Sequence, residues 1–231
     1  MKRILVVEDE NSIRDFVVIN LQRAGYEVTD VASGEEAVTE YENRNGAFDV
    51  ALLDIMMPGM DGFALCRWIR EQSSDIGIIM LSAKSQEMDK VNCLMIGADD
   101  YVTKPFSPSE LVARVDAIFR RVSVNRAHHE EQRVIVSGPF TLDYQSRILL
   151  NDGKPVDLTQ IEYHIIEFLM KNKNTPVDRL SILRHIWGES YVGEDKVIDV
   201  NIRRLRMKIE DDPSTPRYIQ TVWGFGYKWN G

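Results

Sequence analysis

Three carboxylates, a hydroxyl and an ammonium stand directly after short apolar runs in the first half of this 231-residue sequence. Ile4-Leu5-Val6-Val7 leads into Glu8 and Asp9, and Val50-Ala51-Leu52-Leu53 into Asp54. Ile78-Ile79-Met80-Leu81 leads into Ser82, and Tyr101-Val102-Thr103 into Lys104 and Pro105. If those run ends meet, the carboxylates repel one another unless a cation lies among them. A hard divalent ion with oxygen ligands, most simply Mg²⁺, resolves the repulsion. Such an ion binds phosphate, and Lys104 neutralises the remaining charge as a point cation. A carboxylate in line with a metal-bound phosphoryl group is a competent nucleophile, and the product is an aspartyl phosphate. Taken singly, each acid is more readily a helix N-cap or a solvated loop residue. The whole set at four run ends is poorly explained that way.

Continuous apolar runs of this length suit strands buried on both faces of a parallel sheet. Helical patterns lie between them, at residues 12–24 and 61–71. That alternation predicts βα units whose crossovers share one hand. The C-terminal ends of all strands then lie on one rim, where open α/β sheets bind ligands.

The length allows two domains, each with a core of its own. The net charge of −8 is uneven: residues 1–121 hold 13 Lys+Arg against 21 Asp+Glu, and residues 122–231 hold 15 of each. Overall basicity therefore gives no argument for a nucleic-acid partner, and any basic surface must be local. Residues 196–208 supply one, with Lys196, Arg203, Arg204, Arg206 and Lys208 against Asp199. Cys66 and Cys93 lack CxxC spacing and read as buried or half-buried free thiols in a reducing cytosol. No run approaches the roughly 18 apolar residues of a membrane span. The acids at 8–10 exclude a secretory signal, so a cytoplasmic protein is expected.

The second half has another texture. The helical pattern of 110–119 ends at Arg120-Arg121, and residues 123–133 have almost no apolar spacing. His128-His129-Glu130-Glu131 in that stretch reads as solvated linker rather than a metal site, since adjacent residues on a mobile segment do not preorganise ligands. Residues 134–142 and 147–150 read as short strands, with Asn151-Asp152-Gly153 a hairpin turn. Thr159 and Glu162 form a capping box for a helix with Ile161, Ile165 and Leu169 on one face. A second helix spans 179–187, a third begins near Lys196, and 219–229 reads as a hairpin around Gly224 and Gly226. Three helices and a hairpin make a winged helix-turn-helix. On the third helix Ile198, Ile202, Leu205 and Ile209 form the core stripe. Val197, Val200, Asn201, Arg203 and Arg204 are expected largely on its other faces, as a major-groove reader requires. The plainer alternative is a solvated helix with an Asp199–Arg203 pair at i,i+4.

The motifs ILVVEDE at 4–10, LLDIMMPGMDG at 52–62, IIMLSAKS at 78–85 and GADDYVTKPF at 97–106 resemble the receiver domain of a two-component response regulator. VIDVNIRRLRMKIE followed by YIQTVWGFGYKW resembles the effector domain of OmpR/PhoB-type transcription regulators. The resemblance implies a flavodoxin-like, doubly wound α/β receiver with a five-stranded parallel sheet at 1–121. A flexible linker at 122–133 and an α+β winged helix-turn-helix domain at 134–231 would follow. It implies Asp54 as phosphoacceptor, with Glu8, Asp9, Asp54 and the backbone carbonyl of Met56 holding Mg²⁺. Ser82 and Tyr101 match a switch pair, in which the hydroxyl moves to the phosphoryl oxygens and the ring turns inward. Lys104 would contact the phosphoryl group, and its bond to Pro105 matches one that is cis in the family, which only proline makes cheap.

The same resemblance implies a sensor histidine kinase as donor and self-catalysed phosphoacceptance with slow autodephosphorylation, not enzymatic turnover. It implies a homodimer on phosphorylation, double-stranded DNA bound at tandem half-sites, and RNA polymerase as a further partner. DNA-contact candidates are Val197, Val200, Asn201, Arg203, Arg204, Arg206, Lys208 and Lys228. Dimer-face candidates are Lys90 with Glu110, and Asp99 or Asp100 with Arg114 and Arg121. Three features depart from the family pattern. Ser82 stands where threonine is common, which keeps the hydroxyl. Met95 and Asp116 occupy a salt-bridge pair that cannot form. Trp223 stands where some relatives have a minor-groove arginine, so the sequence leaves two readings for it, a contact with DNA or packing against the domain. The competing reading is a metal-dependent phosphotransfer enzyme on the same topology, since fold does not fix function. Aspartate-based phosphatases usually carry a general acid two residues after the nucleophile, and Met56 cannot serve. A regulator that binds DNA without phosphorylation is the third reading, and the Asp54, Ser82, Lys104 set argues against it.

Overall fold

The four apolar runs become strands, as their patterning predicts. The computed structural model describes residues 2–83, 92–124, 134–188 and 195–231, with backbone alone at 120–124. The chain divides into two compact units, Met1–Phe119 and Arg120–Gly231.

The first unit contains β1 (Arg3–Val7), α1 (Asn11–Arg23), β2 (Glu27–Val31), α2 (Gly34–Asn43), β3 (Val50–Asp54), α3 (Gly62–Gln72), β4 (Gly77–Ser82) and β5 (Asp100–Thr103). The helix that follows, α4 (Pro108–Val124), begins in this unit. The strands form one parallel sheet in the order β2-β1-β3-β4-β5. Ile4, Val6, Leu52, Ile79 and Leu81 point to one face, against Val17 and Leu21 of α1 and Leu111, Val115 and Ile118 of α4. Their neighbours Leu5, Val7, Leu53, Ile78 and Met80 alternate to the other face and are equally buried. There α2 meets α3, with Tyr41 edge-on to Trp68 at 5.3 Å between ring centroids. Burying an aliphatic side chain contributes about 1.5–3 kcal/mol, against about 1–2 kcal/mol to order its backbone. Runs covered on both faces are therefore the most secure strands.

The fifth strand, β2, is not among the four runs. It lies at the sheet edge, and of EVTDV only Val31 is buried. A half-covered edge needs no continuous apolar run, so β2 leaves a weak sequence signal. The order reverses at β1, which has β2 on one side and β3 on the other. That switch point opens a crevice beyond the ends of β1 and β3, where Glu8, Asp9 and Asp54 stand. The helix α4 runs to Val124, into the stretch expected to begin the linker at 122. Residues 125–133, including His128-His129-Glu130-Glu131, lie outside the described residues.

In the second unit an antiparallel sheet of β6 (Val134–Ser137), β7 (Phe140–Asp143), β8 (Ile148–Asn151) and β9 (Lys154–Val156) precedes the helices. Asp152 and Gly153 take positive φ, 47° and 76°, as the turn between β8 and β9 demands. The helices are α5 (Gln160–Lys171), α6 (Arg179–Trp187) and α7 (Lys196–Ile209). The capping box of α5 forms as expected from Thr159 and Glu162. The hairpin of β11 (Ile219–Val222) and β12 (Gly226–Trp229) is joined by β10 (Val177–Asp178), a two-residue strand too short to leave a pattern. Trp229, fully buried, links the two sheets: its ring meets Phe140 at 5.4 Å and its Nε1 donates to Ser137 Oγ at 2.9 Å.

Candidate functional site

Four strands of the first unit deliver functional residues because the chain leaves the sheet at those points. β1 releases Glu8 and Asp9, β3 ends on Asp54, β4 ends on Ser82 and β5 is followed by Lys104. Gly62 opens α3 immediately under the end of β3, where a Cβ would overlap the Asp54 carbonyl oxygen. Asp61 caps α3 by accepting from the Ala64 N–H at 2.7 Å.

One carboxylate oxygen from each of Glu8, Asp9 and Asp54 lies within 4.8 Å of the others. Glu8 and Asp54 are buried and Asp9 is exposed. The Lys104 ammonium sits 2.7 Å from Glu8 Oε2 and 3.1 Å from Asp54 Oδ1. Burial raises the pKa of Asp54, which Lys104 and the Met56 and Ile55 backbone N–H groups oppose. Burial also raises the pKa of Glu8, opposed by Lys104 and assisted by the neighbouring Asp54. One ammonium therefore does not fully compensate two buried acids. Among the described residues, Glu8 Oε1 is buried with no hydrogen-bond partner. An orphaned carboxylate oxygen beside two more carboxylates is an incomplete oxygen ligand set, and Mg²⁺ fits it. The same pocket is also lined by Ile13, Phe16, Met56, Pro105 and Phe106, with Glu10 and Ser12 among them. Met56 is exposed at the rim.

Ser82 and Tyr101 are both buried. Register pairs Ser82 with Thr103 and Tyr101 with Met80, so both belong to the β4–β5 edge of the site. The Lys104–Pro105 peptide bond is cis.

The dimer-face candidates are mostly engaged within the chain. Asp100 is buried and pairs with Arg114 at 3.1 Å, and Arg114 also reaches Glu110 at 2.9 Å. Asp99 pairs with Arg70 at 2.7 Å and accepts from the Ile78 N–H at 2.8 Å. These residues are thus internal partners before they are surface charges. Asp116, which has no bridge to Met95, takes a hydrogen bond from Tyr26 and lies 3.8 Å from Lys2. Lys90 and the Arg121 side chain lie outside the described residues.

The third helix corrects the sequence reading most. Ile198, Ile202, Leu205 and Ile209 are buried as expected, but so are Val197, Val200, Asn201 and Arg204. Asn201 donates to the Val197 carbonyl at 2.8 Å. The Arg204 guanidinium lies 3.0 Å from Glu162 Oε1, an ion pair with a fully buried carboxylate. Lys208 reaches the other Glu162 oxygen at 2.7 Å. Arg206 donates to the Ile219 carbonyl and Thr221 Oγ1 of the hairpin. Helical projection could not show this, because it gives an azimuth and not what stands opposite. Glu162 was legible as a cap but not as the hub of two ion pairs. Asp199 pairs with Arg179 at 2.7 Å, not with Arg203. Arg203 is exposed with no ion pair among the described residues, and Lys196 is exposed. Lys228 is half-buried on β12 opposite Gln220. Trp223 does not pack against the domain: it is 91% exposed.

Comparison with known proteins agrees with this architecture. Residues 4–116 match the response regulator receiver domain family, and residues 153–229 match the C-terminal domain of transcriptional regulatory proteins. The sensory transduction protein RegX3 of Mycolicibacterium smegmatis is 42% identical over 231 residues, with 100% of each chain covered. RegX3 of Mycobacterium tuberculosis is 41% identical over the same length and coverage. Among solved structures, the response regulator DrrB, an OmpR/PhoB homologue from Thermotoga maritima, superposes over 100% of both chains at 35% identity and a TM-score of 0.52. A mutant of RitR covers 100% of both chains at 26% identity and a TM-score of 0.78. A receiver fold with an acid-lined switch point, followed by a winged DNA-binding unit, makes this chain a two-component response regulator of the OmpR/PhoB family, a transcription regulator.

Proposed function

We propose that this regulator is switched by phosphorylation of Asp54, with Glu8, Asp9, Asp54 and the Met56 carbonyl holding Mg²⁺. The observation that carries this is the contact of one ammonium, Lys104, with both Glu8 and Asp54 beside an orphaned Glu8 oxygen. The metal, when bound, supplies charge neutralisation for an incoming phosphoryl group. The Asp54 carboxylate forms the new O–P bond while the donor's bond to phosphorus breaks, its electron pair leaving with the donor. Lys104 moves from its carboxylate partners to a phosphoryl oxygen. Ser82 lies on the adjacent strand end for a second oxygen, with Tyr101 behind it as the partner of the switch. Met56 offers no proton to a leaving group, which favours a stable acceptor over a phosphatase.

The donor is a sensor histidine kinase in the same cytoplasmic compartment. The units work as a receiver at 1–121, a connecting linker at 122–133 and a DNA-binding effector at 134–231. Phosphorylation promotes a homodimer, which holds two effectors near adjacent half-sites and raises their effective concentration on DNA. On α7, solvent-facing Arg203 and Lys196 are the DNA contacts, and bound effectors would recruit RNA polymerase. The test is phosphorylation by a small acyl phosphate with Mg²⁺, read by intact mass. Wild type should gain one base-labile phosphoryl group and the isosteric Asp54→Asn none. Equal labelling of both proteins sinks the assignment.

A further inference from the structure

Of the three carboxylates at the switch point, Asp9 is the one held by nothing of its own. Glu8 meets the Lys104 ammonium and accepts from the Glu10 backbone N–H. Asp54 meets Lys104 and accepts from the Met56 and Ile55 N–H groups. The Asp9 side chain is exposed and, among the described residues, has no hydrogen-bond or ion-pair partner. Its position is therefore set by the backbone that carries it, the Glu8–Asp9 peptide at the exit of β1.

That stretch is fastened differently from its neighbours. The helices α2 and α3 are entered through side-chain caps, Ser33 on the Glu36 N–H and Asp61 on the Ala64 N–H. At α1 the N-cap residue Glu10 makes no such bond, and its carboxylate is taken by the Ser12 hydroxyl at 2.6 Å. Arg14, one turn into α1, supplies the tie instead. Its Nη1 donates to the Glu8 carbonyl at 2.6 Å and its Nη2 to Asn11 Oδ1 at 2.5 Å. Its Nε lies 3.4 Å from Asp30 Oδ2 on β2, and the side chain is only 15% exposed. One planar guanidinium thus joins the exit of β1, the first turn of α1 and the edge strand. The Glu8 N–H donates to the Val31 carbonyl at 3.2 Å, so residue 8 is gripped at both of its backbone groups.

We propose that Arg14 is a positioning residue for metal binding: by holding the Glu8 carbonyl it aims the Asp9 carboxylate at the cation. This rests on the Mg²⁺ reading of the acid cluster. Mg²⁺ demands near-ideal octahedral geometry, so a ligand on a loose peptide binds it poorly. Charge and geometry make opposite predictions here. A guanidinium beside the acids repels a divalent cation, so removing it as a charge should tighten Mg²⁺ binding. Removing it as a fastener should weaken binding, and groups that orient metal ligands are generally worth about 10–100-fold in affinity.

The experiment titrates the full-length, unphosphorylated chain with Mg²⁺ and reads the dissociation constant from amide chemical shifts, with thermal melts alongside. Arg14→Ala should raise the constant about tenfold. Arg14→Lys keeps the charge but not the fork, and should raise it less, about threefold. Acyl-phosphate labelling of both variants should slow at limiting Mg²⁺ and return to within about twofold of wild type at saturation. An unchanged or lowered constant in Arg14→Ala overturns the proposal. So does a lower melting temperature with unaltered Mg²⁺ affinity, the mark of a structural brace. If Arg14→Ala does not fold, Arg14→Lys decides by the same criterion, since it retains the charge and most of the stem. Asp9→Asn is the separate control: if it binds Mg²⁺ as wild type does, the acid cluster is not the metal site and the underlying reading has failed.

Discussion

Two adjacent arginines of α7 should give opposite phenotypes. Arg204 is 6% exposed and its guanidinium lies 3.0 Å from Glu162 Oε1, while Arg203 faces solvent. Removing one partner of a buried ion pair generally costs about 3–5 kcal/mol, because the other charge is left uncompensated. Glu162 keeps Lys208 at 2.7 Å and the Thr159 N–H at 2.8 Å, so the lower end of that range, about 3 kcal/mol, is expected for Arg204→Ala. For a unit of this size that is a fall in Tm of roughly 10–25 °C. Arg203→Ala should change stability by less than about 0.5 kcal/mol and weaken DNA binding. Near-ultraviolet circular dichroism follows the melting of the effector through buried Trp187 and Trp229, and DNA binding is measured well below the variant's transition. An Arg204→Ala protein that melts within about two degrees of wild type but loses base preference would refute the reasoning, since Arg204 would then be a reader.

Other expectations follow from the same contacts. Gly62→Ala should displace the end of β3, because the added methyl overlaps the Asp54 carbonyl oxygen, and slow acyl-phosphate labelling by more than tenfold with the sheet intact. Arg114→Glu puts a like charge beside buried Asp100, so the receiver should lose stability as monomer as well as any phosphorylation-dependent dimerisation; sedimentation with parallel thermal melts separates the two, and an unchanged monomer Tm contradicts the internal pairing. Glu167 is pushed up by burial, but hydrogen bonds from His164 and Lys171 outweigh this and hold it at about 2. Its folded pKa is depressed, so its contribution is fully present above the unfolded value and is lost as pH falls from about 4.5 towards 2, at most about 3 kcal/mol. Glu167→Gln should flatten melting temperature against pH in that window, and a profile parallel to wild type would discount the cluster.

The sequence by itself determined the elements whose signals are local. Runs such as Ile4 to Val7 and Val50 to Leu53 are continuous because both faces of a parallel sheet are covered, and the functional acids stand where those runs stop. The turn at Asp152-Gly153, the Thr159–Glu162 capping box and the Ile198, Ile202, Leu205, Ile209 stripe each depend on residues within about a dozen positions. The edge strand β2 and the short β9 and β10 were less legible, because partly covered or very short strands need no apolar run. Only the tertiary structure decided the partners of the long charged side chains. Glu162 meets Arg204 and Lys208 more than forty positions away, and Tyr26 meets Asp116 ninety away. Asp100 and Arg114 likewise find each other inside the chain, though their types equally suited a surface between two copies. Helical periodicity places a side chain around its own axis, but a guanidinium on a flexible stem goes wherever a buried carboxylate stands. Asn201 and Arg204 therefore turned inward while Arg203 and Trp223 were left to solvent, because the helices and hairpin packed around α7 cover all but a narrow strip of it.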